Sequence, residues 1–396
     1  MTRPPYTVIL VVPTGIGAAI GGYAGDALPV ARAIASCCDR LITHPNVLNG
    51  AQLYWNIPNA LYVEGYGLDK FASGCWGLRP VHQNRVGLIL DQGIEPDLRL
   101  RHLQAADATR ATLGLELTDY VVTDAPLNVE LRTSASGASW GTIGNPDSLL
   151  RAAEVLIHQA RADAIAVVAR FPDDLGSDAL VAYRHGQGVD PLAGAEAVIS
   201  HLIVRTFQVP CAHAPALMPL PLDPDLSPRS AAEELGYTFL PCVLVGLSRA
   251  PQFVLKNLGT GKEDVGTRGR GDAGNFLTNL NTASSQFLGN TQNVTSLPGD
   301  IWASEVDAVV VPATACGGSA LLSLSQSKTK IIAVEENQTS MQVPPEHLGM
   351  KAIRVHSYLE ALGVLVAHRA GISADALSPS LSSLHCLSLS GKTASR

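Results

Sequence analysis

Residues 7–22 read Thr7-Val-Ile-Leu-Val-Val-Pro13-Thr14-Gly15-Ile-Gly17-Ala-Ala-Ile-Gly21-Gly22. An uncharged run of β-favouring residues ends on a proline, and glycines then crowd the turn. A helix follows from about Leu28 to Cys38, then a second strand, Arg40–Thr43, closed by His44-Pro45-Asn46. Strand, small-residue turn, helix, strand is the rhythm of a parallel sheet. Residues 8–34 are also apolar enough to suggest a leader or a membrane span. Pro13, Asp26 and Pro29 interrupt them, and glycines lie at 15, 17, 21, 22 and 25, so strand, turn and helix is the better reading.

Two other segments repeat the plan. One has apolar runs Tyr120–Thr123 and Val129–Leu131, the turn Ser134–Gly141, a helix from Pro146 to about Arg161 and the strand Ala164–Ala169. The other has Asp307–Pro312, the turn Ala313–Ser319, a short helix and Lys330–Val334 ending in Glu335-Glu336-Asn337. The turns match in composition and not in order, which favours a generic rhythm over degenerate internal repeats. The fold class expected is α/β: largely parallel sheets, helices on both faces, Rossmann-like βαβ units. Asn145-Pro146 and Ser227-Pro228 read as helix starts, Gly236 as the end of the second, and Ser357 with Glu360 as a capping box for a helix that stops before Gly371.

With 396 residues, 46% of them hydrophobic and only 16% charged, the chain can bury a large core. A net charge of −7 argues against a nucleic-acid binder. The seven cysteines (Cys37, Cys38, Cys75, Cys211, Cys242, Cys316 and Cys386) include no CxxC pair, which suits a reducing compartment. Residues 256–298 are polar and glycine-rich and read as a flexible excursion. The organisation expected is an α/β portion over 1–255 (divisible into 1–118 and 119–255), the excursion 256–299, a C-terminal α/β unit 300–377 and a disordered tail 378–396.

Ligands of open parallel sheets sit beyond the carboxyl ends of the strands. The turn with Thr14, Gly15, Gly17, Gly21 and Gly22 offers backbone amides to an anion. It is neither GxGxxG nor a phosphate-loop motif, so tight packing is the competing reading. His44, Asn46, Ser136, Gly137, Ser139, Arg170, Thr314, Gly317, Gly318, Ser319, Glu335 and Asn337 occupy comparable places and are expected to bind ligand. Trp140 is read as a cover. Adjacent side chains alternate, so only one of Glu335 and Glu336 should face a site.

Cys316, before a helix, is expected to have a lowered thiol pKa and to act as nucleophile or base, against the alternative of a core cysteine. In Arg184-His185-Gly-Gln-Gly-Val-Asp190, His185 reads as a general base oriented by Asp190, against the alternative of an exposed loop. His213 is expected to join it as a ligand-binding residue. A metal site from His185, Asp190, His201 and His213 matches no standard spacing, so no metal is expected. No motif requires a cofactor.

PTGIGAAIGGYAGDA, THPNVLNGA, SGASWGTI, YRHGQGVDP, PCAHAPAL, FLPCVLVGLSRAPQF and VVVPATACGGSALLSL with IIAVEEN together resemble a family of unknown function in cyanobacteria and plants, domain-of-unknown-function family 3326. The resemblance runs over about 5–255 and 300–375, with 256–298 outside it. It implies an intracellular α/β protein, chloroplast-related in plants, and carries over no catalytic role. The function expected is an enzyme acting on a small polar, anionic metabolite by Cys/His chemistry. The alternatives are a non-catalytic nucleotide or metabolite binder and a metal-dependent hydrolase. The expected setting is the cytoplasm. The expected partners are a small-molecule ligand and, as an open alternative, a second copy of the chain, with no nucleic acid and no membrane.

Overall fold

The computed structural model describes residues 3–49, 55–173, 177–234, 239–255 and 296–384. In chain order the strands are β1 (Thr7–Leu10), β2 (Arg40–Thr43), β3 (Ala60–Tyr62), β4 (Trp76–Arg79), β5 (Val86–Leu90), β6 (Leu117–Val122) and β7 (Val129–Thr133). There follow β8 (Ser139–Ile143), β9 (Ala164–Arg170), β10 (Cys211–Ala216), β11 (Gln252–Leu255), β12 (Val306–Pro312), β13 (Lys330–Val334) and β14 (Ala352–Val355).

Two parallel sheets result, in the orders β14-β13-β12-β1-β2-β3 and β10-β9-β5-β6. The α/β expectation is met. The strands are apolar nearly throughout because both faces are covered. In β1, Val8 and Leu10 point into one core and Ile9 into the other. The first core takes Ala31 and Ile34 of helix Leu28–Cys37, Leu365 of helix Tyr358–Ala370 and Leu244 of helix Leu240–Ser248. The second takes Phe71, Leu149 and Ile203 from helices Gly65–Ala72, Pro146–His158 and Ala193–Phe207. Strands of both sheets contribute to each core.

Segments 7–62 and 306–355 share the larger sheet, so the sheets do not follow the linear division of the chain. The excursion expected at 256–299 lies outside the described residues up to 295. Where the chain resumes, Asp300 takes a two-pronged contact from Arg79 of β4, 2.8 Å at each nitrogen. Of the expected tail, residues 378–384 are exposed and outside any helix or strand, and 385–396 lie outside the described residues.

The middle segment departs from the expected plan. Ser134–Ala138 is the tip of an antiparallel hairpin pairing β7 with β8, with Glu130 opposite Thr142 and Leu131 opposite Gly141. The alternation of Val129, Leu131, Gly141 and Ile143 carries this pairing, and Ser-Gly supplies the turn. Asn145 does not cap the following helix; its amide donates to Pro126 O at 2.6 Å. The capping at Ser357 is present, its hydroxyl accepting from Glu360 N at 3.2 Å. Gly236 lies outside the described residues.

Candidate functional site

The chain passes from β1 to β2 and β3 on one side and reaches β12, β13 and β14 on the other. Strand order therefore reverses between β1 and β12, and a crevice opens beyond the carboxyl ends there. A cleft of about 610 Å³ lies at this edge. Its walls are Gly17, Ala18, Ala19 and Tyr23 after β1, Gln338 and Thr339 after β13, His185, Gly186 and Gly188, and Ser227, Pro228 and Arg229. The first two groups rise from the larger sheet. The last two belong to segments that follow β9 and β10 of the smaller one, Pro228 and Arg229 being the start of helix Pro228–Glu234.

The glycine turn is held by surrounding side chains. Asn337, fully buried, accepts from Ile20 N at 2.9 Å and donates to Ile20 O and to the Tyr358 hydroxyl at 2.8 Å each. Ala19 N donates to Gln338 O at 2.9 Å and Ser340 N to Ile16 O at 2.8 Å. Asp26 accepts from Gly21 N at 2.6 Å, and Asn46 donates to Gly21 O at 2.7 Å. His44 Nε2 accepts from Val12 N at 3.1 Å, and burial lowers its pKa to about 4, so the ring is neutral. Asn337, His44 and Asn46 thus hold the turn through these hydrogen bonds, and Gly21, next to Gly22, takes two of them on its own backbone. Gly17 (φ +59°) lines the cleft, but its close approach is to protein: a Cβ there would lie 2.9 Å from Gly188 O. Gly15 abuts Ser139 in the same way, with Ser139 N donating to Gly15 O at 2.9 Å. Ser139 Oγ accepts from Gly194 N at 3.2 Å. Thr14 is exposed.

His185 follows helix Asp178–Arg184 and lies at the cleft with its side chain 41% exposed. Its orienting carboxylate is Asp223, 3.1 Å from Nε2, and not Asp190. Asp223 is held below the usual carboxylate range by the Asp225 amide and then by His185. Asp190 is buried and accepts from Leu192 N at 2.8 Å, ahead of helix Ala193–Phe207. Burial and the nearby Glu233 and Glu196 raise its pKa well above the usual range. It cannot orient His185 because it is committed to the backbone of that helix start.

Cys316 is also displaced from the expected role. It is fully buried, with its thiol 3.8 Å from Pro312 O and 3.7 Å from Ala313 O. Burial raises its pKa to about 11, the reverse of the expected shift. The helix dipole is no help, because helix Ser319–Ser325 begins beyond it and Asp69 already accepts from Ala320 N at 2.9 Å. Gly317, Gly318 and Ser319 belong to that capped start. Thr314 reaches the cleft lining through Thr339, hydroxyl to hydroxyl at 2.8 Å.

The remaining expected residues lie elsewhere. Ser136 and Gly137 form the hairpin tip, and Trp140 stacks under Arg132. Glu335 pairs with Arg354 at 2.9 Å. The smaller sheet has its own reversal, between β5 and β9; there Arg170 spans Glu95 and Asp173, while Asp91 accepts from Leu127 N and Arg170 N. His185, His201 and His213 face three separate carboxylates, Asp223, Glu64 and Glu196. Among the described residues no group of three or more His, Cys, Asp or Glu is placed to hold a metal ion.

Sequence reasoning missed Tyr23, Asp223, Ser227, Arg229, Gln338 and Thr339 as companions of His185. Ser227-Pro228 reads in the sequence only as a helix start, and nothing local brings these residues together.

Comparison with known proteins gives three findings. The model of a family described as a protein of unknown function, DUF3326, matches residues 7–267 and 274–378. It therefore includes most of the 256–298 stretch expected to fall outside the resemblance. A protein of Synechococcus sp., named an uncharacterized lipoprotein, is 56% identical over 373 residues, 94% of this chain and 93% of that one. That name overturns the expected cytoplasmic setting. Among the described residues no helix is long and apolar enough to cross a membrane. A solved glycotransferase of kitacinnamycin aligns over 74% of this chain and 92% of its own at 12% identity, with a TM-score of 0.15, too low to carry an argument.

Proposed function

The chain belongs to the DUF3326 family, and on that premise we propose that the cleft at the β1/β12 reversal binds a small polar, anionic metabolite and that His185 acts on it as a general base. The observation that carries the reading is the convergence of four loops from both sheets on one cleft, with the His185–Asp223 pair at its wall. With Nε2–H donated to Asp223, Nδ1 carries the lone pair, and it has no partner among the described residues. Arg229 supplies positive charge beside it, tempered by Asp26 at 2.8 Å. Ser227, Thr339 and Gln338 offer neutral hydrogen bonds. A cleft of this volume suits a metabolite of ordinary size. Cys316 has no part in this chemistry.

The test is mass spectrometry of small molecules that co-purify with the wild-type chain and with Thr339→Trp, which fills the cleft. Wild type should retain an anionic compound that Thr339→Trp lacks. His185→Gln should retain the compound and lose its conversion. Identical small-molecule profiles for wild type and Thr339→Trp would refute the cleft as a binding site, and unchanged conversion by His185→Gln would leave a binding protein without this base.

A further inference from the structure

One side chain behind the cleft touches three of its walls. Glu233 lies on helix Pro228–Glu234, which starts at the lining residues Pro228 and Arg229. Its Oε2 accepts from Ala24 N of the glycine turn at 3.1 Å and from the Tyr183 hydroxyl at 2.7 Å. Tyr183 precedes His185 by two residues. The same tyrosine is stacked on Tyr23, ring centres 4.5 Å apart, and its carbonyl accepts from the Tyr23 hydroxyl at 3.1 Å and the Ser230 hydroxyl at 2.9 Å. The glycine turn, the His185 loop and the Arg229 helix therefore meet at a single carboxyl oxygen.

We propose that Glu233 is a proton-operated latch of the cleft: protonated, it lets the glycine turn pack against the His185 loop, and ionised, it drives the two apart. The proposal rests on the cleft being the working site. The direction follows from the surroundings: in the packed geometry the carboxyl is buried among Asp26, Asp190 and Glu196, which penalise its charged form more than a loosened, solvated geometry would.

The groups facing Glu233 favour a proton exchanged near neutrality. Asp26 comes from the turn, and Asp190 and Glu196 from the loop and helix on the far side. Glu196 in turn lies 3.6 Å from His213 of β10. The arginines of these elements are paired with other carboxylates, Arg229 with Asp26 and Arg184 with Glu234. Tyr23 and Tyr183 are neutral, their pKa values raised by burial. Burial, with the acidic neighbours adding to it, lifts Glu233 to about 7 against the pull of the Tyr183 and Ala24 hydrogen bonds.

The test is amide hydrogen exchange of the ligand-free full chain between pH 6 and 8, corrected for the intrinsic pH dependence and read in peptides covering 17–26 and 183–189. Wild type should show several-fold stronger protection of both segments at pH 6 than at pH 8. Glu233→Gln keeps the shape and cannot ionise, so its protection should stay flat at the low-pH level. Tyr183→Phe removes one donor that favours the ionised form, so its transition should move to higher pH. A wild-type profile without a transition, or the same transition in Glu233→Gln, would overturn the latch. Because no ligand is used, failure here leaves the binding cleft standing, and a cleft that retains no metabolite leaves the latch to be judged on exchange alone.

Discussion

Asn337→Ala separates a structural clamp from a ligand contact. The wild-type amide makes three hydrogen bonds, two of them to the backbone of Ile20 and one to Tyr358. Each such bond contributes about 1 kcal/mol net, and a backbone group left buried without a partner costs about 1–3 kcal/mol. Ile20 N–H and C=O would both lose their partners, although part of that loss is recovered if water enters. The expected destabilisation is about 3–5 kcal/mol. At roughly 2.1 cal/mol/K of unfolding entropy per residue, 396 residues give about 0.8 kcal/mol/K, so the melting temperature should fall by about 5 °C. Calorimetry measures this directly, and hydrogen exchange at Ile20 should accelerate with it. Asn337→Asp should do no better, since it keeps the acceptor, loses both donors and buries a charge. A change below about 1 °C would refute the clamp and return the Asn337 amide to the ligand.

Two other outcomes follow from the same geometry. Iodoacetamide near neutral pH should modify exposed Cys75 well before Cys316, whose buried thiol is raised to about 11, and native-state mapping by mass spectrometry that finds Cys316 among the first labelled would reverse its assignment to the core. His44 has its pKa lowered to about 4 in the folded chain; its neutral form stabilises fully above the unfolded value of about 6.5 and this is lost as pH falls toward 4, on the order of 3 kcal/mol in all, so the stability difference between wild type and His44→Gln in urea titrations should shrink from pH 7 to pH 5, and a constant difference would exclude a buried neutral ring.

The fold was legible where one strand carries its own signal. Arg40–Thr43 and Lys330–Val334 form where the apolar pattern places them, because strands buried on both faces need no partner information to be recognised. The hairpin β7–β8 was misread because Ser134–Gly141 has the composition of a strand-to-helix turn, and only cross-strand pairing distinguishes the two. For the site, sequence picked out the glycine turn and His185 but misassigned their chemistry. Glycines at 15 and 17 signal close backbone approach without saying that the approaching atoms are Ser139 and Gly188. Asp190 is nearer to His185 in sequence than Asp223 is, yet the loop before helix Pro228–Glu234 brings Asp223 to the imidazole. Cys316 has the right neighbours for an activated thiol and the wrong burial, which no local pattern encodes.

The place of β1 has a consequence for how the polypeptide is made. Thr7 pairs with Val306 and Val8 with Ala308, so β1 leaves the ribosome some 300 residues ahead of the strand it pairs with. At about 5–20 residues per second, some 300 residues take about 15–60 s. Throughout that interval Val8, Ile9 and Leu10 border an open apolar edge, the geometry that recruits foreign strands. A ribosome that stalls before β12 releases a chain whose smaller sheet has all four of its strands while half of the larger one is missing. The nascent protein therefore needs either a chaperone to cover β1 or translation fast enough to outrun its misassociation.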